Sequence, residues 1–294
     1  MTKLKENFIK YILFFLSFLS LFFLLGIVVV LFKEGLPLFK YVSLKDFLFG
    51  KEWYPTYEPP SFGALPLILG SLWVTLGALI LAIPLGLGAS IYLAEIAGRG
   101  IKEIIKPIIE LLAGIPSVVY GFFGVVILAP FIQKIFDLPV GLCALTASII
   151  LGIMAIPTIT SIADDAISSV PNNYKEASLA LGATKLETIF KVVLPASSGG
   201  VITAIILGIS RAIGETMTVL MVAGGAAIIP HSFLEPVRPL TATIAAEMGE
   251  AVLGGIHYNA LFSLGIVLFV ITLFFNILSD FLYERFKKRV RWKN

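Results

Sequence analysis

Residues 11–32 read YILFFLSFLSLFFLLGIVVVLF, a run without a single charged side chain. At about 1.5 Å of rise per residue, a helix of this length covers the roughly 30 Å hydrocarbon core of a bilayer. Lipid offers the backbone no hydrogen-bond partner, so such a run closes its bonds within its own helix. The same reading along the chain predicts spans over Tyr11–Phe32, Leu65–Leu93, Pro107–Ile132, Gly141–Ile162, Ser198–Ile228 and Asn259–Leu282. Six spans make an all-α, polytopic membrane protein. Composition agrees, because 58% of the 294 residues are hydrophobic, above the roughly 45–50% apolar content of soluble domains. Lys3, Lys5 and Lys10 precede the first run as they would in a signal peptide. That run is longer than an h-region of about 7–15 residues and meets Lys33 without a small-residue cleavage site, so it reads as a retained anchor.

Lys and Arg fix the orientation. The N-terminal segment, the loops carrying Arg99, Lys102 and Lys106 and then Lys175, Lys185 and Lys191, and the C-terminal segment together hold 15 of the 22 basic residues. The opposite loops hold six, Lys33, Lys40, Lys45, Lys51, Lys134 and Arg238, and Arg211 falls within a span. Basic residues concentrate on the cytoplasmic side of membrane proteins, so both termini are expected there. That asymmetry accounts for the net charge of +3 without nucleic acid as a partner. The chain divides into an anchor helix with an outer loop (1–64), a core (65–282) containing an inner loop (163–197), and a basic tail (283–294).

Between the spans, outer segment Lys33–Ala64 sets Trp53, Tyr54 and Tyr57 among Pro55, Pro59 and Pro60, the composition of a loop or short helix anchored at the membrane interface by aromatics. Outer segment Pro230–Tyr258 includes apolar Leu240–Ile256 with Glu247 and Glu250, short for a span and suited to a surface or re-entrant helix. Pro84, Gly86, Gly88, Gly114, Pro116, Gly121 and Gly124 lie inside spans, where small residues allow close helix packing and Pro116 is a candidate kink. Cys143 stands alone, which excludes a disulfide framework. His231 and His257, far apart in sequence, read as surface loop histidines, and no metal-ligand or catalytic cluster is evident. Glu110, Glu247 and Glu250 are candidates to gate or guide an ion, and solvation at the interface explains them as well.

The inner loop is the most informative stretch. Residues 164–197 read DDAISSVPNNYKEASLALGATKLETIFKVVLPAS, two helix-like segments on either side of Gly182, which suits a left-handed turn between them. This helix-turn-helix resembles the EAA loop of importer permeases of the ABC transporter class. Glu176, Ala177, Gly182, Leu194 and Pro195 match that pattern, while Ser178 and Val192 replace an Ala and an Ile. The resemblance implies a type I importer permease fold and a coupling helix that docks on a separate ATP-binding subunit. No G-x-x-x-x-G-K-[ST] phosphate loop occurs in the chain, so ATP is expected on that partner and no cofactor on this chain.

Arg211 lies mid-span, where a cation is costly and usually faces a cavity or partner. Glu215 follows four residues on, hence on the same helical face and within reach for an ion pair, and Thr218 follows at seven. Mutual neutralisation of Arg211 and Glu215 is one reading. The other is that Arg211, Glu215 and Thr218 line a substrate pathway in which Arg211 meets an oxyanion in transit and Glu215 orients it and prevents too tight a hold, since guanidinium matches phosphate-like oxygens with paired hydrogen bonds. R-x-x-G-E at Arg211, Gly214 and Glu215 is similar to a motif in oxyanion permeases, molybdate and sulfate among them. Four longer stretches, FGALPLILGSLWVT, KPIIELLAGIPSVVYGFFG, SRAIGETMTVLMVAGG and LTATIAAEMGEA, resemble the phosphate-importing members, from about Phe62 to the C-terminus. The resemblance implies a transport subunit of a bacterial or archaeal cell membrane rather than an enzyme. It also implies a second related permease, two ATP-binding subunits and an extracytoplasmic phosphate-binding protein. A permease for another oxyanion, or a secondary carrier or channel independent of ATP, stays open at this point.

Overall fold

The computed structural model describes residues 2–290. Of the basic residues expected at the termini, the side chains of Lys3, Lys5, Arg285, Lys287, Lys288 and Arg289, and all of Arg291 and Lys293, lie outside the described residues.

In chain order the elements are α1 (Thr2–Gly35), a 3-10 turn (Leu36–Lys40), α2 (Leu44–Phe49), strands β1 (Trp53–Tyr54) and β2 (Ser61–Phe62), and α3 (Leu65–Ile91). Then come α4 (Arg99–Ala113), α5 (Ser117–Phe123), α6 (Ala129–Ile135), α7 (Ala144–Ser168), α8 (Asn172–Ala180) and α9 (Lys185–Thr188). The chain closes with α10 (Leu194–Gly214), α11 (Met217–Val222), α12 (Leu240–Glu247) and α13 (Ile256–Val290). π-helical turns extend α3 over Tyr92–Ile96, join α5 to α6 over Gly124–Leu128 and join α9 to α10 over Ile189–Val193. Six helical stretches are long and apolar enough to cross a membrane: Asn7–Lys40, Leu65–Ile96, Ser117–Ile135, Ala144–Ser168, Lys185–Gly214 and Ile256–Leu278. The predicted count stands. Below, "inner" names the end of the bundle with the lysine-rich loops and "outer" the opposite end.

Helix α7 is the axis of the bundle. It packs along α3, with α10 against both and α13 beyond α10. Expulsion of water drives little helix association inside lipid, so close contact and buried polar bonds have to hold the pair. Small buried residues, among them Ala78, Ala82, Ala147 and Ala155, let the backbones approach. Ser148 Oγ donates to the Val74 carbonyl and Thr160 Oγ1 to the Gly86 carbonyl, both at 3.2 Å. Helix α1 is different: its side chains are exposed over most of its length, as befits a span surrounded by lipid. It docks on α13 near its end, where Ser263 Oγ donates to the Gly35 carbonyl at 2.7 Å and the Phe32 and Phe269 rings meet edge to face.

The outer segment departs from its expected interfacial role. Trp53, expected as a membrane anchor, is only 2% exposed, packed with Phe47, Phe62, Leu67, Leu240 and Leu261. Its indole N–H donates to the Glu247 carboxylate at 3.0 Å, and Arg238 and His257 approach the same carboxylate at 2.7 and 3.0 Å. Glu247 thus braces the outer loop, α12 and α13, and His257, expected in a loop, lies in the first turn of α13. Residues Leu240–Thr243 of α12 are buried, so this helix is embedded among α3, α11 and α13 rather than laid on a surface. The preceding loop also serves the start of α7: the Glu235 and Phe233 carbonyls accept from the Ala144 and Leu145 N–H groups, which have no intrahelical acceptor.

At the inner end, Asp164 of α7 is 1% exposed and accepts from Lys102 at 2.7 Å and Lys106 at 3.1 Å, both on α4. Lys106 also bonds Asp165 at 2.5 Å. The Asp165 bond is the main reason the Lys106 ammonium is held above its ordinary pKa, with burial opposing it.

Two predicted spans are interrupted. Pro107–Ile132 straddles the end of α4 and a break at Gly114–Pro116 before α5. Ser198–Ile228 contains the end of α10 at Gly214, a break at Glu215 and Thr216, and the short α11. The first run stays apolar through its break, and in the second the polar Glu215 and Thr216 are followed at once by apolar Met217–Val222, so hydropathy averaged along the run registers neither break.

Candidate functional site

The two breaks meet. Thr218, fully buried in α11, donates through Oγ1 to the Ser117 carbonyl at the start of α5, 3.0 Å away. The same hydroxyl lies 3.9 Å from Met154 Sδ, near the middle of α7, which places the junction about half-way through the bundle. Packing there is tight because two glycines leave room: a Cβ on Gly121 would stand 2.7 Å from Met221 Sδ, and one on Gly124 would stand 2.6 Å from Val222 Cγ1. Proline at 116 supplies no backbone N–H and disfavours helix at the residue before it, which accounts for the interruption between α4 and α5. Tyr120 spans that interruption by donating to the Leu112 carbonyl at 2.9 Å.

Arg211 lies in the last turn of α10, where the unpaired carbonyls and the negative end of the helix dipole favour a cation. It is half-buried, and its Nε is buried with no hydrogen-bond partner among the described residues. The expected pairing with Glu215 is absent. Helix α10 ends at Gly214 and Glu215 has extended backbone (ψ 130°), so the four-residue spacing no longer places the two on one face. Glu215 instead accepts from the Thr218 N–H at 3.1 Å, capping α11, while its carbonyl accepts from Thr241 Oγ1 at 2.7 Å. Beside it a cavity of about 10 Å³, lined in part by Ser71, Thr75, Glu215 and Thr241, has room for a single water. The structure therefore brings Glu215 and Thr218 together as one cap, with Arg211 just before the break and free of Glu215. Tyr120 and Thr241 were not singled out in the sequence, because their partners lie on other helices.

The inner hairpin is built as expected. Gly182 has φ +85°, the left-handed region. The Gly182 N–H donates to the Leu179 carbonyl and the Ala183 N–H to the Ser178 carbonyl, at 2.9 and 3.2 Å, a pair of bonds that closes α8. Thr184 then opens α9 with a reciprocal capping box to Glu187. Glu176 and Ala177 are exposed on α8, and Leu181 at the turn is 90% exposed. Leu194 and Pro195 stand apart from that face, as the first residues of α10. Leu194 packs with Ile167, Val170 and Val193, and Pro195 occupies a position where a missing N–H costs nothing.

The profile of the family described as "Binding-protein-dependent transport system inner membrane component" matches residues 82–292. The chain belongs to this family. It is 42% identical over 246 residues to a "Probable ABC transporter permease protein YqgH" of Bacillus subtilis, covering 84% of this chain and 80% of the relative. It is 37% identical over 263 residues to the "Phosphate transport system permease protein PstC" of Mesorhizobium japonicum, covering 83% and 80%. Among solved structures, a bacterial alginate ABC transporter with its periplasmic protein aligns over 97% of this chain and 96% of its own, with a TM-score of 0.67 at 14% identity. The MetNI methionine ABC transporter in an inward-facing conformation aligns over 74% and 93%, with a TM-score of 0.58 at 20% identity. The fold is that of ABC importer permeases, and the chain is a multi-pass membrane transport protein.

Proposed function

We propose that this chain is one permease subunit of an ATP-driven importer of inorganic phosphate, with Arg211 meeting the anion in transit. The observation that carries the reading is Arg211 in the last turn of α10, four residues before the break at Glu215, its Nε buried with no hydrogen-bond partner among the described residues. Broken helices at the membrane midplane offer ion sites because their ends present unpaired backbone dipoles. The stretch Ser117–Ile135 begins at this junction, and a helix N-terminus favours negative charge. Phosphate is preferred over molybdate or sulfate because relatives at 32–37% identity, bacterial and archaeal, are named phosphate permeases.

In this reading both termini and the hairpin around Gly182 face the cytoplasm. Glu176, Ala177 and Gly182 form the contact with an ATP-binding subunit, and Leu194 and Pro195 fix the hairpin to α10. Thr218 and Glu215 hold the junction in shape and line the same pathway. A second related permease, two ATP-binding subunits and an extracytoplasmic phosphate-binding protein complete the complex, and alternating access moves the anion inward. The test is ATP hydrolysis by the reconstituted complex with its binding protein. Stimulation by phosphate above that by molybdate or sulfate is expected, and stimulation by either rival anion alone would overturn the choice of substrate. Uptake by this chain alone, driven by a gradient, would favour a secondary carrier.

A further inference from the structure

Helix α8 buries none of its residues. Burial therefore fixes it only loosely, and within its own hairpin it meets α9 and the π-helical turn Ile189–Val193, with a 2.9 Å contact between Ser178 Oγ and Thr188 Oγ1. A helix that receives force from a partner needs a firmer path into the membrane than this. Lys175, directly before Glu176, supplies one. Its Nζ lies 2.6 Å from Glu95 Oε1, and the two side chains are 20% and 9% exposed.

Glu95 belongs to the π-helical turn Tyr92–Ile96 that ends α3. π-turns recur at functional positions in helices because the extra residue loosens the regular ladder. From Glu95, α3 runs outward along α7 to Ser71, Val74 and Thr75, which line the small cavity beside Glu215. One continuous helix therefore has its inner end bonded to the docking helix and its outer half against the junction of the broken helices. A pair screened from water to this degree holds its geometry better than a surface ion pair.

We propose that the Lys175–Glu95 ion pair is the joint through which movement of the ATPase-docking helix is passed to α3 and on to the break at Glu215. The proposal rests on the transport reading above and assigns to both residues a positioning role within it. Loss of the joint should uncouple hydrolysis from transport rather than abolish either binding partner.

The test uses the whole complex in proteoliposomes with its binding protein, reading ATP hydrolysed and phosphate moved in the same sample. Lys175→Met and Glu95→Gln are each expected to leave assembly and basal hydrolysis intact and to raise ATP consumed per phosphate several-fold. The charge-swapped double variant, Lys175→Glu with Glu95→Lys, is expected to return the ratio toward that of the unmodified complex. An unchanged ratio in both single variants would overturn the proposal. Should the single variants fail to assemble, the swapped pair decides: recovery of assembly and ratio supports the joint, and absence of recovery overturns it. No phosphate uptake by the unmodified complex would instead count against the substrate reading.

Discussion

Thr218 Oγ1 donates to the Ser117 carbonyl at 3.0 Å, and with that bond joins two helices at the points where both are broken. The donor is fully buried. Thr218→Val keeps the shape and removes the donor, and loss of the bond costs about 0.5–1.5 kcal/mol. The expected result is a lower unfolding temperature of the purified complex together with reduced uptake, with Thr218→Ser close to wild type in both. Equal stability of the Val and Ser variants would show that the bond does not hold the junction.

Glycine at 124 admits α11. Its Cβ would lie 2.6 Å from Val222 Cγ1 and 3.1 Å from Ile150 Cγ1, whereas a Cβ on Gly88 would meet nothing within 4 Å. Gly124→Ala should destabilise by about 1–3 kcal/mol through overpacking. Gly88→Ala should be neutral or gain up to about 1 kcal/mol, because Ala favours helix over Gly. Thermal unfolding of the two variants side by side checks the contrast.

Much of this was legible in the sequence, and the exceptions have physical causes. The number of spans, the hairpin and its left-handed Gly182 follow from run length and local turn chemistry, which a linear reading captures. The break at Gly114–Pro116 interrupts a helix without interrupting apolarity, and the one at Glu215–Thr216 is so short that the apolar MTVLMVAGG after it read as a continuation of the fifth span. The four-residue spacing of Arg211 and Glu215 means one face only while the helix lasts, and it ends between them. Trp53 looked interfacial because its partner, Glu247, is 194 residues away. Glu95 gave no local signal for the same reason, its partner Lys175 lying 80 residues on.

Asp164 and Asp165 should differ sharply although they are neighbours. Asp164 is 1% exposed between two lysines, and Asp165 is 65% exposed. Breaking a buried pair costs about 3–5 kcal/mol, and the partly wet lysines reduce that to roughly 2 kcal/mol for Asp164→Asn. Asp165→Asn should cost less than about 1 kcal/mol. Denaturation of the two purified variants tests the order, and a larger loss at Asp165 would contradict it.

Gly182 sits at φ +85° with open space where a Cβ would go, so backbone strain rather than collision governs substitution. A residue with a Cβ in that region costs about 1–2 kcal/mol, least for Asn. Gly182→Val is expected to distort the turn, weaken capture of the ATP-binding subunit and abolish uptake, with Gly182→Asn retaining most of both. Normal uptake by the Val variant would remove the hairpin from the coupling role.

Arg211→Gln, in the assembled complex with its binding protein, tests the central claim most directly. The substitution removes the guanidinium charge at the junction and leaves Glu215 and Thr218 in their cap. A hydrogen bond to a charged group contributes about 1.5–3 kcal/mol, so ATP-driven phosphate uptake should fall by about tenfold or more while assembly is unchanged. Uptake at the wild-type rate by the assembled variant would contradict the account and return Arg211 to a structural role.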